Sequence, residues 1–203
     1  SVVIPVAAGQ LVTGVHPNAY YVLPILNALA QTALLFLLGK RLFDRKTATL
    51  ACLFMIFFPY QIRAASQIRP EIFSITYMLA MLWFFAGYWK TPDGRTGRRA
   101  LMLSSALLYV AYHSKITNLF FLPGMLVLIA LRTKDDRRKT LADSAIFGGI
   151  CLVAFLVETV LYGALAGFPL GHLQIIAANH LGGMQPLASW TEIFNRYLTP
   201  YLQ

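Results

Sequence analysis

Acidic side chains are scarce in this chain: eight Asp and Glu stand among 203 residues, and none precedes Asp44. Charged residues of both signs make up only 12% of the sequence, against 58% apolar residues, a balance that a soluble domain of this length does not need. Cysteine is confined to Cys52 and Cys151, each inside an apolar run. Neither a disulfide framework nor a cysteine metal motif is readable from them, the redox compartment stays open, and two small buried side chains are the plain reading. His16, His172 and His180 lack a tight spacing such as His-x-x-x-His, so they carry no zinc signature. Internal repeats, low-complexity tracts, glycine-rich phosphate loops and nucleophile motifs are missing as well. Gly94 and Gly97 read as parts of a simple basic turn, and the polar connections are too short for a separate domain, which argues against a cytoplasmic ATPase or kinase in this piece.

What the chain does have is apolar runs of membrane length along most of its course. A helix rises about 1.5 Å per residue, so roughly twenty residues cross a hydrocarbon layer of roughly 30 Å. The runs predict an all-α, polytopic integral membrane helix bundle with about six transmembrane segments, at 20–38, 47–60, 71–89, 100–112, 116–131 and 143–163. An exoplasmic lead-in, 1–19, precedes the 1–163 bundle's first span. Read as one helix, residues 100–131 would be about 48 Å long with His113-Ser114-Lys115 near its centre, so two short spans joined by a hairpin fit better. Residues 164–203 form an exoplasmic or interfacial tail, in which Leu170, Leu173, Ile176 and Ala177 repeat at helical spacing and Gly182-Gly183 can end the helix.

The sequence carries 17 Lys and Arg and a formal charge of +9. Its basic residues sit in short loops and form no continuous stripe, so nucleic acid is not an expected partner. With six crossings, Lys40, Arg41, Arg45, Lys46, Lys90, Arg95, Arg98, Arg99, Arg132, Lys134, Arg137, Arg138 and Lys139 all fall on one side. Only Arg63, Arg69, Lys115 and Arg196 fall on the other. The positive-inside bias therefore sets the basic loops in the cytoplasm and both chain ends on the exoplasmic side.

Chemistry is expected on the exoplasmic side, because an ionisable group near the bilayer is costly and pairs, lines a wet cavity or binds a charged ligand. Beside His16 and the tail's His172, His180, Glu192 and Arg196, that side carries Arg63, Arg69 and Glu71 between spans two and three. His113 and Lys115 lie between spans four and five. The second, fourth and fifth spans are short, so their outer ends predict a recess whose basic lip would suit a phosphate. Each residue has a plainer competitor. Arg69-Pro70-Glu71 also reads as a helix start with Glu in the first turn, and His113 and Lys115 as hairpin residues that snorkel to water. Glu158, near the outer end of the last span, reads first as a structurally paired carboxylate.

The order of these features resembles the GT-C glycosyltransferases. The likeness is carried by Asn27-Ala28-Leu29 leading to Leu38-Gly39-Lys40-Arg41-Leu42-Phe43-Asp44, by Phe58-Pro59-Tyr60 running to Ile68-Arg69-Pro70-Glu71, and by His113-Ser114-Lys115-Ile116-Thr117 leading to Leu122-Pro123. Glu158-Thr159 with Gly167-Phe168-Pro169-Leu170 adds a fourth piece. Within that superfamily the chain is most similar to bacterial relatives of dolichyl-phosphate-mannose:protein mannosyltransferases, over most of residues 15–180. The resemblance implies an enzyme of the bacterial inner membrane that takes a polyprenyl-phosphate sugar as donor. It also implies a catalytic acidic residue in the first exoplasmic loop, expected upstream of Ser1 and so in a longer protein of which this chain is a piece. Glu71 falls at the family's second acidic position, associated in some members with a divalent metal ion. It is the candidate catalytic or metal-binding residue within the chain; no other metal ligand or cofactor is implied. Arg63, Arg69, His113 and Lys115 would bind the donor phosphate.

The resulting expectation is a membrane glycosyltransferase fragment, moving sugar from a polyprenyl-phosphate donor to an acceptor on the exoplasmic face, with membrane lipid and other membrane subunits as further partners. The alternative is a non-catalytic integral membrane subunit or scaffold with a GT-C-derived fold. A transporter of lipid-linked or anionic substrate would need paired charges deep in several spans, and only Glu158 approaches that pattern.

Overall fold

The computed structural model describes residues 19–59, 62, 70–91 and 94–166. Over these residues the chain is helical and contains no strand. In order run α1 (Ala19–Leu42), α2 (Arg45–Phe57), α3 (Pro70–Lys90), α4 (Gly94–Ser114), a 3-10 turn (Ile116–Phe120), α5 (Phe121–Arg132) and α6 (Arg137–Ala166). Val22–Leu42, Ile72–Lys90 and Arg137–Leu165 are long and apolar enough to cross a membrane, and Thr117–Arg132 is a shorter apolar helix. Backbone groups in hydrocarbon must be satisfied within the chain, which helices achieve without a partner. The protein is an all-α membrane helix bundle.

The helices outrun the apolar segments at their basic ends. Gly39, just beyond the expected first span of 20–38, lies inside α1, and Arg95, Arg98 and Arg99 stand on α4 rather than in a loop. Gly97 is buried in α4, whereas Gly94 is a true turn residue, with φ of +85°, a conformation glycine adopts at no steric cost. Hydropathy ends where the charges begin, but backbone hydrogen bonding continues until something caps it. At α2 the cap is Asp44: its extended backbone starts the helix, and its carboxylate accepts from the Thr47 N–H at 2.9 Å and the Thr47 hydroxyl at 3.0 Å.

The chain divides into two compact units, residues 1–152 and 153–203. In the first, α1 and α2 form an antiparallel pair so close that a Cβ on Gly39 would lie 3.0 Å from Ala48 Cα. α3 and α4 form a second antiparallel pair. Here Ser104 donates to Met81 O at 3.0 Å and Ser105 to Phe147 O at 2.5 Å, so small hydroxyl residues join neighbouring helices where apolar burial gives no driving force. Met78, Met81, Phe85, Leu101, Ile129 and Phe147 belong to the core between α3, α4, α5 and α6. The exterior is apolar as well: Phe54, Phe57, Phe120 and Leu141 are more than two-thirds exposed, as lipid-facing side chains should be.

Three interhelical bonds bring the end of α1, the end of α3 and the connection 133–136 to one end of this unit. Arg41 donates to Trp83 O at 2.9 Å and lies 5.0 Å over the Trp83 ring. Arg132 donates to Trp89 O at 2.9 Å, and the Tyr88 hydroxyl to Asp143 at 2.7 Å. The basic connections read from the sequence thus share the end at which α3 finishes.

Of the second unit the described residues are 153–166, the last part of α6. Val153, Val160 and Leu165 there are exposed, while Glu158 is buried. The tail expected over 164–203 lies outside the described residues from 167 onward.

Candidate functional site

The opposite end of the first unit is built by the start of α3 and the end of α4. Because the two helices are antiparallel, the pairing of Met81 with Ser104 recurs further out, where Asn118 joins Ser74 to Ala111. One helical turn beyond that level lie Glu71 on α3 and Ser114 on α4, followed by Lys115.

The chain turns at Lys115. Its backbone is extended, with φ of −155° and ψ of 118°, yet both of its polar backbone groups are satisfied. The Lys115 N–H donates to Ala111 O at 2.9 Å, and the Lys115 carbonyl accepts from the Asn118 N–H at 3.0 Å. The side chain is exposed. The hydrogen-bonded backbone thus fixes the point from which the exposed ammonium reaches out on its flexible stem. His113 is half-buried beside it, its ring edge-on to Tyr109 at 4.7 Å and to Tyr112 at 5.4 Å.

Beneath this end runs a buried polar seam that the sequence reading did not assign. Gln31 on α1 is fully buried and donates to Ile72 O at 2.5 Å in the first turns of α3. Thr76 donates to Asn27 Oδ1 at 2.7 Å, and Asn118 to Ser74 Oγ at the same distance. Asn27 Nδ2 is buried without a hydrogen-bond partner among the described residues. The available signal was the presence of amides inside apolar runs, since such groups in a membrane helix face the interior of the bundle. Which helix each would meet is not written in the run itself.

Of the residues singled out from the sequence, His113, Lys115 and the backbone of Glu71 come together at this end. The Glu71 side chain lies outside the described residues, as do Arg63, Arg69, His16, His172, His180, Glu192 and Arg196. The start of α3 adds the positive end of a helix dipole, which favours an anion over a cation. Among the described residues no three His, Cys, Asp or Glu side chains gather as metal ligands.

No curated protein and no solved structure matches the chain. A sequence profile described as dolichyl-phosphate-mannose-protein mannosyltransferase matches residues 6–162, a stretch that contains every described helix of the first unit and both elements of the Lys115 end. On that match, the chain belongs to the dolichyl-phosphate-mannose-protein mannosyltransferase family.

Proposed function

We propose that this chain belongs to a membrane glycosyltransferase that moves a sugar from a polyprenyl-phosphate donor to an acceptor on the exoplasmic face of a bacterial inner membrane. The observation that carries the reading is the Lys115 turn: a cation on a hydrogen-bonded backbone, beside the start of α3, at the end of the bundle away from the basic connections. Family membership supports a lipid-linked sugar donor. The charge asymmetry supports cytoplasmic basic connections and, with them, an exoplasmic Lys115 end.

In the reaction the acceptor oxygen bonds to the anomeric carbon while the bond from that carbon to the phosphate oxygen breaks. The bonding pair leaves on the phosphate, and the acceptor's proton passes to a carboxylate. Lys115, with His113 beside it in the chain, and Arg69 and Arg63 are the groups of this chain that would offset the growing phosphate charge, which lowers the barrier most when the donors are held in advance. Glu71 is the chain's candidate carboxylate.

The test is donor binding by the full-length protein. Lys115→Ala and Arg69→Ala should each weaken binding of a polyprenyl monophosphate by about tenfold, the scale of one charge-assisted hydrogen bond, with membrane insertion unchanged. Binding unaltered in both variants would remove the phosphate site and leave a scaffold role as the better account.

A further inference from the structure

We infer that Asn118 is a positioning residue for Lys115, holding the Lys115 turn against the start of α3 so that the ammonium meets the donor phosphate at a fixed place. This rests on the phosphate-site reading above. A side-chain amide has two N–H donors, and the two acceptors of Asn118 Nδ2 belong to different segments. It donates at 2.7 Å to Ser74 Oγ on α3 and at 2.7 Å to Ala111 O near the end of α4. The residue is buried, so water does not readily replace either bond.

The same residue closes the turn itself, since its backbone N–H donates to the Lys115 carbonyl. Ala111 O, which accepts from the Lys115 N–H, also accepts from the Asn118 amide. Lys115 is therefore enclosed by hydrogen bonds that all pass through Asn118 or its acceptor. Ser74 lies one turn from Glu71 along α3, so the bridge also sets the spacing between the Lys115 turn and the start of α3. A change at Asn118 thus acts on the phosphate through Lys115, without touching the donor.

Aspartate has nearly the shape of asparagine but no N–H to give when ionised, so Asn118→Asp breaks the bond to Ala111 O, while the Ser74 hydroxyl can still donate to the new carboxylate. Ser74→Ala breaks only the one to α3 and leaves the α4 bond intact, which keeps the question open to measurement if the aspartate variant fails to insert. Both should be made in the full-length protein, with and without Lys115→Ala, and polyprenyl monophosphate binding measured. If Asn118 positions Lys115, each variant weakens binding by about three- to tenfold when Lys115 is present and changes it little when Lys115 is alanine, because coupled residues are non-additive. An equal loss in both backgrounds means a general structural role and overturns the proposal, as does no loss in either. Unchanged binding on Lys115→Ala alone overturns the phosphate-site reading itself, a separate result.

Discussion

Tyr88 donates its phenolic hydrogen to the Asp143 carboxylate at 2.7 Å, between two side chains that are both buried. The bond ties the end of α3 to the beginning of α6. Tyr88→Phe keeps the ring and removes the donor, leaving a buried carboxylate short of a partner, and should cost about 1.5–3 kcal/mol. Thermal unfolding in detergent reads this as a lowered midpoint. Pairing Tyr88→Phe with Asp143→Leu should recover part of the loss, since both polar partners are then gone. A single variant as stable as the parent would show the bond to be unimportant.

The α1–α2 contact makes a steric prediction. A valine at Gly39 would press on Ala48, whose Cα lies 3.0 Å from the position of the new Cβ, and backbone cannot yield as a side-chain tip can. The expected loss is about 1–3 kcal/mol. Gly148→Ala and Gly149→Ala serve as controls, because a Cβ at either meets nothing within 4 Å. If Gly39→Val unfolds no earlier than the controls, the close approach of the two helices is wrong.

Sidedness can be read by labelling. The native Cys52 and Cys151 are buried, so a membrane-impermeant maleimide should report mainly on introduced thiols. Leu119→Cys, in the exposed part of the 3-10 turn, should label on intact cells, and Asp135→Cys only after the membrane is opened. The reverse pattern would place the Lys115 turn in the cytoplasm and end the exoplasmic reading.

Acid should loosen the first turn of α2. The backbone N–H and hydroxyl of Thr47 hold the Asp44 carboxyl below its ordinary value of 3.8. A folded-state value below the unfolded one means that the stabilisation is fully present above the ordinary value and is lost as pH falls through the lowered one. Asp44→Asn keeps an accepting oxygen but does not titrate there. Protection of the amides at the start of α2, taken relative to their intrinsic exchange at each pH, should therefore fall below the ordinary carboxylate value in the parent and stay level in the variant.

The sequence discloses the class of fold because lipid demands long apolar runs, and it discloses Lys115 because a cation between two short spans is conspicuous. Helix ends are harder to read. Arg95, Arg98 and Arg99 look like loop residues to any measure of hydropathy, yet they continue α4, since a helix at the membrane surface remains hydrogen-bonded in water. The buried seam is harder still. Gln31 and Asn118 announce only that a polar group needs a partner, and the partners, Ile72 and Ser74, lie 41 and 44 residues away. The likeness to mannosyltransferases is legible in the order of the motifs and agrees with the family match over residues 6–162.

Two of the three bonds that gather the basic connections take hold of main-chain oxygens, those of Trp83 and Trp89. Carbonyls are the same in every amino acid, so this end of α3 should accept changes of side chain more readily than changes of length. One residue inserted before Trp83 would turn everything after it by about 100° around the helix axis and swing both oxygens away from Arg41 and Arg132 together. In a lineage of such proteins, drift in letters along α3 would be common, and gaps within it rare.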